Sequence, residues 1–137
     1  MTPRATGPRS SLDPEAISDL VCAMLAVNNL SLERSVELHP ALEREGLLDL
    51  CRLTAMEIPE IFEALRRAEY PKSEYVTGLV SGWLKAMATR VGADDGRELA
   101  GLLDRGPSAE LDAYLLSIKG VGSVVLRNFK ILRGMVG

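Results

Sequence analysis

Apolar residues recur at three- and four-residue spacing along nearly all of the 137-residue chain. That spacing gathers them on one face of a helix, whereas a half-buried strand needs strict alternation of apolar and polar residues. No segment alternates in that way, and no block of about 20 to 50 residues repeats. The sequence therefore predicts an all-α fold, a compact bundle of about seven to eight short helices at varied angles.

Residues that start and stop helices divide this pattern. Asp13 is expected to cap a first helix whose first residue is Pro14. Ser31 is expected to cap a second helix that runs to about Glu45 and ends before Gly46. The remaining helices are predicted at 47–53, 59–68, 75–87, 97–105, 109–118 and about 121–133.

The length of the chain suits one domain with a real core. We expect residues 1–12 to form a disordered N-terminal tail and residues 13–137 to form a single helical domain. No apolar run approaches the roughly 18 residues that span a bilayer, and the N-terminus lacks the apolar segment of a secretion signal. A cytoplasmic protein without a membrane partner is predicted.

The cysteines argue against metal chemistry. Cys22 and Cys51 each lie within an apolar helical pattern, which is typical of buried thiols in a reducing compartment. Together with the single histidine, His39, they are too few and too scattered for a zinc site or an iron–sulfur cluster. We therefore expect neither a metal nor a cofactor.

The stretch SIKGVGSVVLRNF, which begins at residue 117, joins two helical patterns through Gly120, Val121 and Gly122. One interpretation is a tight turn whose glycines only allow the two helices to pack. The other is a helix-hairpin-helix, in which Val121 anchors the hairpin in the core and the N–H groups that begin the last helix bind a phosphate.

Two observations favour the hairpin. Ile118 and Leu126 are apolar at the positions where the two helices must touch. The net charge of the chain is −3, yet residues 113–137 carry +4 and no acid, so the rest carries −7. The four cations are Lys119, Arg127, Lys130 and Arg133. A basic end on an acidic body can bind a polyanion locally.

Three segments, in this order and spacing, resemble the endonuclease III superfamily of base-excision DNA glycosylases. They are the polar turn LAVNNLS, the turn EYPKSEYVTGL that begins the long helix, and the hairpin IKGVGSVVL. The resemblance covers about residues 13–134 and is most specific in the hairpin. It implies the six-helix barrel of that superfamily, which ends in the helix-hairpin-helix.

The resemblance also implies a partner and a set of contacts. The partner is double-stranded DNA, held by its backbone and largely without regard to sequence. The hairpin contacts would be Lys119, Gly120, Val121, Gly122, Ser123, Arg127 and Lys130. Asn28, or its neighbour Asn29, would fill the gap left by a flipped base. A helix C-cap is the alternative role for this asparagine.

The catalytic residues of the superfamily are not matched. Bifunctional members carry a nucleophilic lysine two residues after the second hairpin glycine, and this position is Val124. The aspartate expected in active members would fall beyond Gly137. Lys119 is expected to face phosphate, and solvated or capping roles are expected for Asp94, Asp95, Asp104 and Asp112. No catalytic residue is therefore assigned.

Three functions follow from these residues. The first is a non-catalytic, nucleoid-associated DNA-binding protein, which would leave the catalytic half to a further segment or a partner chain. The second is an active DNA glycosylase whose acid lies outside this chain or at an unfamiliar position. The third is a protein-interaction module that works through the acidic body and uses the hairpin only for packing.

Overall fold

The computed structural model describes residues 12–27 and 29–135. Within these ranges it contains nine α-helices and no strand, which confirms the all-α prediction. The helices are α1 (Pro14–Leu25), α2 (Leu32–Glu37), α3 (His39–Arg44), α4 (Leu50–Ala55), α5 (Ile58–Arg67), α6 (Glu74–Gly92), α7 (Arg97–Asp104), α8 (Ala109–Leu116) and α9 (Ser123–Leu132). Across this described part, no helix is long and apolar enough to cross a membrane.

Side-chain caps explain where several of these helices begin. Asp13 accepts a hydrogen bond from the Glu15 N–H at 3.0 Å, directly before Pro14. Ser31 accepts one from the Arg34 N–H at 3.1 Å and so begins α2. Each cap satisfies an N–H group that has no partner within the helix. The same role is filled by Asp49 at α4, Ser73 at α6 and Ser108 at α8.

The predicted second helix is in fact two short helices, which raises the number of helices above the predicted seven to eight. The cause is Pro40, which lies in the first turn of α3. Proline has no N–H to donate, and its ring clashes with the carbonyl four residues earlier, so one helix cannot continue through it. The predicted end is confirmed, because Gly46 adopts a left-handed conformation with φ +79°.

Other boundaries differ by a few residues. The short helix predicted at 47–53 begins at Leu50, because Asp49 supplies its cap, while Leu47 and Leu48 are buried in the turn before it. The expectation that Cys51 is buried is wrong: its side chain is exposed, and Leu53 is the residue of α4 that enters the core. The last helix begins at Ser123 rather than near Val121.

The core is built around α1. Eight of its twelve residues are buried, from Ala16 to Leu25, and α9, α2 and α6 pack against it. For α6 the apolar spacing predicts a buried stripe of Tyr75, Val76, Leu79, Val80, Trp83, Leu84 and Met87. This prediction is partly wrong, because Tyr75 is 76% exposed and Leu79 is 38% exposed. The buried face of α6 runs instead through Val80, Leu84, Met87 and Val91. Leu12, which was assigned to the N-terminal tail, is also buried in the core.

Helix α9 runs antiparallel to α1. At its end, Arg133 forms an ion pair with Asp19, with 3.1 Å between Nη1 and Oδ2. Nearer its start, the amide of Asn128 donates to the Ala26 carbonyl at 3.4 Å. The beginning of α9 and the turn after α1 therefore lie at the same end of the molecule.

Candidate nucleic-acid interface

The hairpin between α8 and α9 rests on the indole of Trp83. Gly120 has φ +90°, a backbone conformation that L-residues with a side chain rarely adopt. A Cβ at this position would lie 2.3 Å from Cγ of Trp83. Gly120 is therefore required both by its backbone conformation and by its contact with Trp83, which fixes the height of the hairpin above α6.

Val121 holds the hairpin from the inside. Its side chain is buried, as predicted, and its N–H donates to the Ile118 carbonyl at 3.0 Å. Ile118 is also buried, and Leu126 packs partly against the core. These three apolar contacts leave the polar backbone of the hairpin facing outward.

Neither the backbone conformation nor a close contact requires a glycine at position 122. Its φ is −107°, which any residue can adopt, and a Cβ there would meet no atom within 4 Å. It occupies the N-cap position of α9 and has no side chain with which to cap the helix. The space beside Gly122 is therefore open to a ligand at the start of α9.

The N–H groups that begin α9 are unsatisfied. The first hydrogen bond of the helix runs from the Leu126 N–H to the Gly122 carbonyl at 3.0 Å. The N–H groups of Ser123, Val124 and Val125 find no acceptor anywhere in 12–27 or 29–135. Ser123 and Val124 are exposed. Together with the helix dipole, these donors form an arrangement suited to an anion.

The structure separates the four cations of the basic end into two groups. Lys130 pairs with Asp112 of α8 at 3.3 Å, and Arg133 pairs with Asp19 and Asp13 at 3.1 and 3.5 Å. Lys119 and Arg127 are exposed and form no ion pair with any described residue. Of the predicted contacts, Lys119 and Arg127 therefore retain a full charge beside the hairpin, while the charge of Lys130 is offset by Asp112.

The turn after α1 is held by three side chains from three other elements. Ser35 donates to the Cys22 carbonyl at 2.6 Å, and Tyr70 donates to the Leu25 carbonyl at 2.9 Å. Asn128 donates to the carbonyls of Ala23 and Ala26, at 3.5 and 3.4 Å. All three donors are buried. The Cys22 and Leu25 carbonyls also accept backbone N–H groups, from Ala26 and Val27, whereas Asn128 binds two carbonyls that no backbone N–H of the described residues reaches. Burial raises the pKa of the Tyr70 hydroxyl to about 12, which keeps it protonated as a donor.

Asn28, the residue expected to fill the gap left by a flipped base, lies outside the described residues. Its neighbour Asn29 is exposed and has φ +72°, a left-handed conformation that asparagine tolerates better than most residues. The turn that holds Asn29 lies at the same end of the molecule as the start of α9. We call Lys119, Gly122, Ser123, Arg127 and Asn29 the hairpin surface.

Val124 lies in the first turn of α9 and is 53% exposed. It precedes Asn128 by one helical turn, so it shares the side of α9 that meets the turn after α1. The resemblance to the glycosylase superfamily predicts a nucleophilic lysine at this position in bifunctional members. An isopropyl group has no atom that can attack a sugar.

The sequence indicated the turn between α8 and α9 but not the side chains that support it or the turn after α1. Trp83 was assigned to a stripe of core residues, although it also supports Gly120. Asn128, Ser35 and Tyr70 were not singled out. Each is a polar side chain placed on an otherwise apolar face, and this pattern marks a buried polar group that needs a partner.

The remaining reactive groups of the described residues offer little chemistry. Burial raises the pKa of the Cys22 thiol to about 11, so the nucleophilic thiolate is scarce at neutral pH. No group of three or more His, Cys, Asp or Glu side chains within the described ranges is arranged to hold a metal ion. Comparisons with protein-family models, with curated proteins and with solved structures found no match to this chain.

Proposed function

We propose that this chain binds the backbone of double-stranded DNA through the hairpin surface and has no glycosylase activity of its own. The observation that carries the proposal is the start of α9, where three unsatisfied N–H groups lie beside the open space at Gly122 and two unpaired cations. The resemblance of the hairpin to that of the endonuclease III superfamily supports the same partner.

Phosphate is the chemical group that fits this arrangement best. Its oxygens accept several hydrogen bonds at once, and its negative charge is favoured at the N-terminus of a helix. A side chain at position 122 would fill the open space in front of the donors, and glycine leaves it empty. The contact of Gly120 with Trp83 and the burial of Val121 hold the donors in place before a ligand arrives, which lowers the entropy cost of binding.

The charges of the hairpin surface favour binding without sequence specificity. Lys119 and Arg127 attract phosphate along the whole duplex, and backbone contacts position a protein without reading bases. The acidic remainder of the chain would repel DNA on its other faces, which limits contact to the basic end. The charge difference between the two parts therefore sets the orientation of the complex.

Val124 argues against the Schiff-base chemistry of the bifunctional members. A Schiff base requires an amine, and valine at the position of the nucleophile supplies none. The alternative of an active glycosylase predicts strand cleavage or base release. Incubation with a duplex that contains an abasic site or 8-oxoguanine, with and without borohydride, distinguishes the two. A trapped adduct or a released base would refute the non-catalytic function and leave DNA binding standing.

Binding itself is tested by fluorescence anisotropy with a labelled duplex of about two helical turns at low salt. Lys119→Glu is expected to weaken binding about tenfold, since it reverses a charge next to the phosphate site. Arg44→Glu is the matched control, because it changes the net charge equally at an exposed residue of α3 that forms no described ion pair. Gly122→Ala should also weaken binding while leaving the fold intact.

Three results would contradict the proposal. The first is no binding of the wild-type chain at low salt. The second is an equal loss in the Lys119→Glu and Arg44→Glu variants, which would assign any binding to overall charge. The third is unchanged affinity in both hairpin variants, which would favour a protein-interaction module.

A further inference from the structure

A cleft of about 750 Å³ opens away from the hairpin surface. It lies between the start of α1, helices α3 and α4, and the loop after α6. Because α1 begins here and ends at the turn that holds Asn29, the cleft and the hairpin surface lie toward opposite ends of α1. The volume falls within the range of small-molecule sites, about 300 to 1,000 Å³.

The wall of the cleft is apolar. It is formed by Leu12, Pro14, Ile17, Leu48 and Leu50. Leu12, Ile17 and Leu48 also belong to the hydrophobic core, so this wall is continuous with the packed interior. A ligand body that is flat or aliphatic would bury apolar surface against it.

The rim of the cleft is acidic. Glu43, Asp49 and Asp95 line it, and Arg52 is the single permanently charged cation among the lining residues. Asp49 already accepts hydrogen bonds from the N–H groups of Cys51 and Arg52, at 2.9 and 3.3 Å. Glu43 and Asp95 form no hydrogen bond or ion pair through their carboxylates with any described residue, so two full negative charges face the opening.

The guanidinium of Arg52 lies against Gly46, which also lines the cleft. A Cβ on Gly46 would lie 2.5 Å from Cζ of Arg52, so the guanidinium lies directly against the backbone of Gly46. His39 lines the cleft as well. Three carboxylates and one guanidinium line the cleft, so the acidic side chains outnumber the permanent cation.

From this combination we infer that the cleft binds a small organic cation with an apolar body, such as an arylalkyl amine. The apolar wall takes the body, and the carboxylates of Glu43 and Asp95 take the ammonium group. The two carboxylates have no partner among the described residues, so both are available to a ligand ammonium. The site is independent of the proposed DNA contact and requires none of the residues of the hairpin surface.

The test uses three probes with one body and three head groups: 4-phenylbutylamine, 4-phenylbutanol and 4-phenylbutyrate. Each is titrated into the full chain and followed by amide chemical shifts. The amine is expected to bind most tightly, the alcohol less and the carboxylate least, and the shifts should map to Ser18, Gly46 and Thr54, which line the cleft. The Glu43→Gln/Asp95→Asn variant should lose about fivefold in affinity for the amine and almost none for the alcohol.

Glu63→Gln is the control, because Glu63 is exposed on α5, has no described partner and does not line the cleft. Tighter binding of the carboxylate than of the amine would overturn the inference and make Arg52 the anchor. Shifts that map outside the cleft would overturn it as well. A third refuting result is binding that appears only in an Arg4→Ser/Arg9→Ser variant, because the occupant would then be the N-terminal segment of the chain itself.

Discussion

Replacing Gly120 with alanine tests whether the hairpin is seated as described, because two separate effects should oppose the change. A residue with a side chain at positive φ costs about 1–2 kcal/mol relative to glycine, and Gly120 has φ +90°. The new Cβ would also lie 2.3 Å from Cγ and 2.6 Å from Cβ of Trp83. These atoms are the stem of the indole side chain and cannot swing aside, so the hairpin must lift. Overpacking of this kind costs about 1–3 kcal/mol.

The two effects together should lower the free energy of unfolding by about 2–5 kcal/mol. Urea denaturation followed by circular dichroism measures this loss. With an m value of about 1.5 kcal/mol/M, the midpoint should fall by about 1–3 M. Gly122→Ala is the matched control two residues away, since its φ of −107° suits alanine and its Cβ would meet no atom. That variant should be neutral or stabilised by about 0.4–1 kcal/mol.

A double variant separates the clash from the backbone strain. Trp83→Ala removes the side chain that the new Cβ would strike, so adding Gly120→Ala to it should cost only the part due to positive φ. Two results would contradict this account: Gly120→Ala unfolding at the wild-type midpoint, and an equal cost of Gly120→Ala in the Trp83→Ala background and in the wild type. Either result would mean that Trp83 does not support Gly120.

Three further predictions concern the turn after α1 and the hairpin surface. Asn128→Ala should lower the free energy of unfolding, measured by urea denaturation, by about 1–3 kcal/mol, because it leaves the buried carbonyls of Ala23 and Ala26 without this donor. A loss no larger than that of Asn29→Ala would argue against this role. The free energy of unfolding should fall as the pH rises above about 9 toward 12, because burial raises the folded-state pKa of Cys22 from 9.0 to about 11 and that of Tyr70 from 10.0 to about 12. Tyr70→Phe should make this fall smaller, and a pH profile unchanged by the substitution would contradict the prediction. DNA affinity should decrease with salt with a slope of log K against log[salt] of about −2, because Lys119 and Arg127 are the two cations of the basic end that form no ion pair with a described residue. A slope near −4 would show that Lys130 and Arg133 also release counterions.

The order of the helices and most of their starts could be predicted from local chemistry alone. Asp13 and Ser31 cap helices where the sequence indicated, since a cap depends only on a side chain and the N–H groups two or three residues later. The boundaries that differed depend on competition between neighbours. The apolar spacing continues across Pro40, but the proline prevents one helix from continuing through it. Apolar residues precede Asp49, but its side-chain cap makes α4 begin after it.

The face that a helix buries was less predictable than the helix itself. Along α6 almost every position is apolar or small, so the spacing admits more than one buried stripe. Packing against α1, α4 and α5 selects the stripe that includes Val80 and Leu84 and leaves Tyr75 exposed. Cys51 was misplaced for the same reason, because a helix of six residues has too few apolar positions to define one face.

A count of charges along the sequence does not show which of them are paired at the candidate interface. The segment 113–137 carries +4 in the sequence, but an ion pair depends on which elements meet in space. Asp112 reaches Lys130 from the helix that precedes the hairpin, and Asp13 and Asp19 reach Arg133 from the other end of the chain. Those pairs hold α9 against α8 and α1, and this leaves its N-terminal donors, with Lys119 and Arg127, as the part of the basic end that is available to a phosphate. Lys119 and Lys130 were both predicted to contact DNA, but their removal should have different effects. Loss of Lys119 should reduce DNA binding, whereas loss of Lys130 should mainly loosen the packing of α8 against α9.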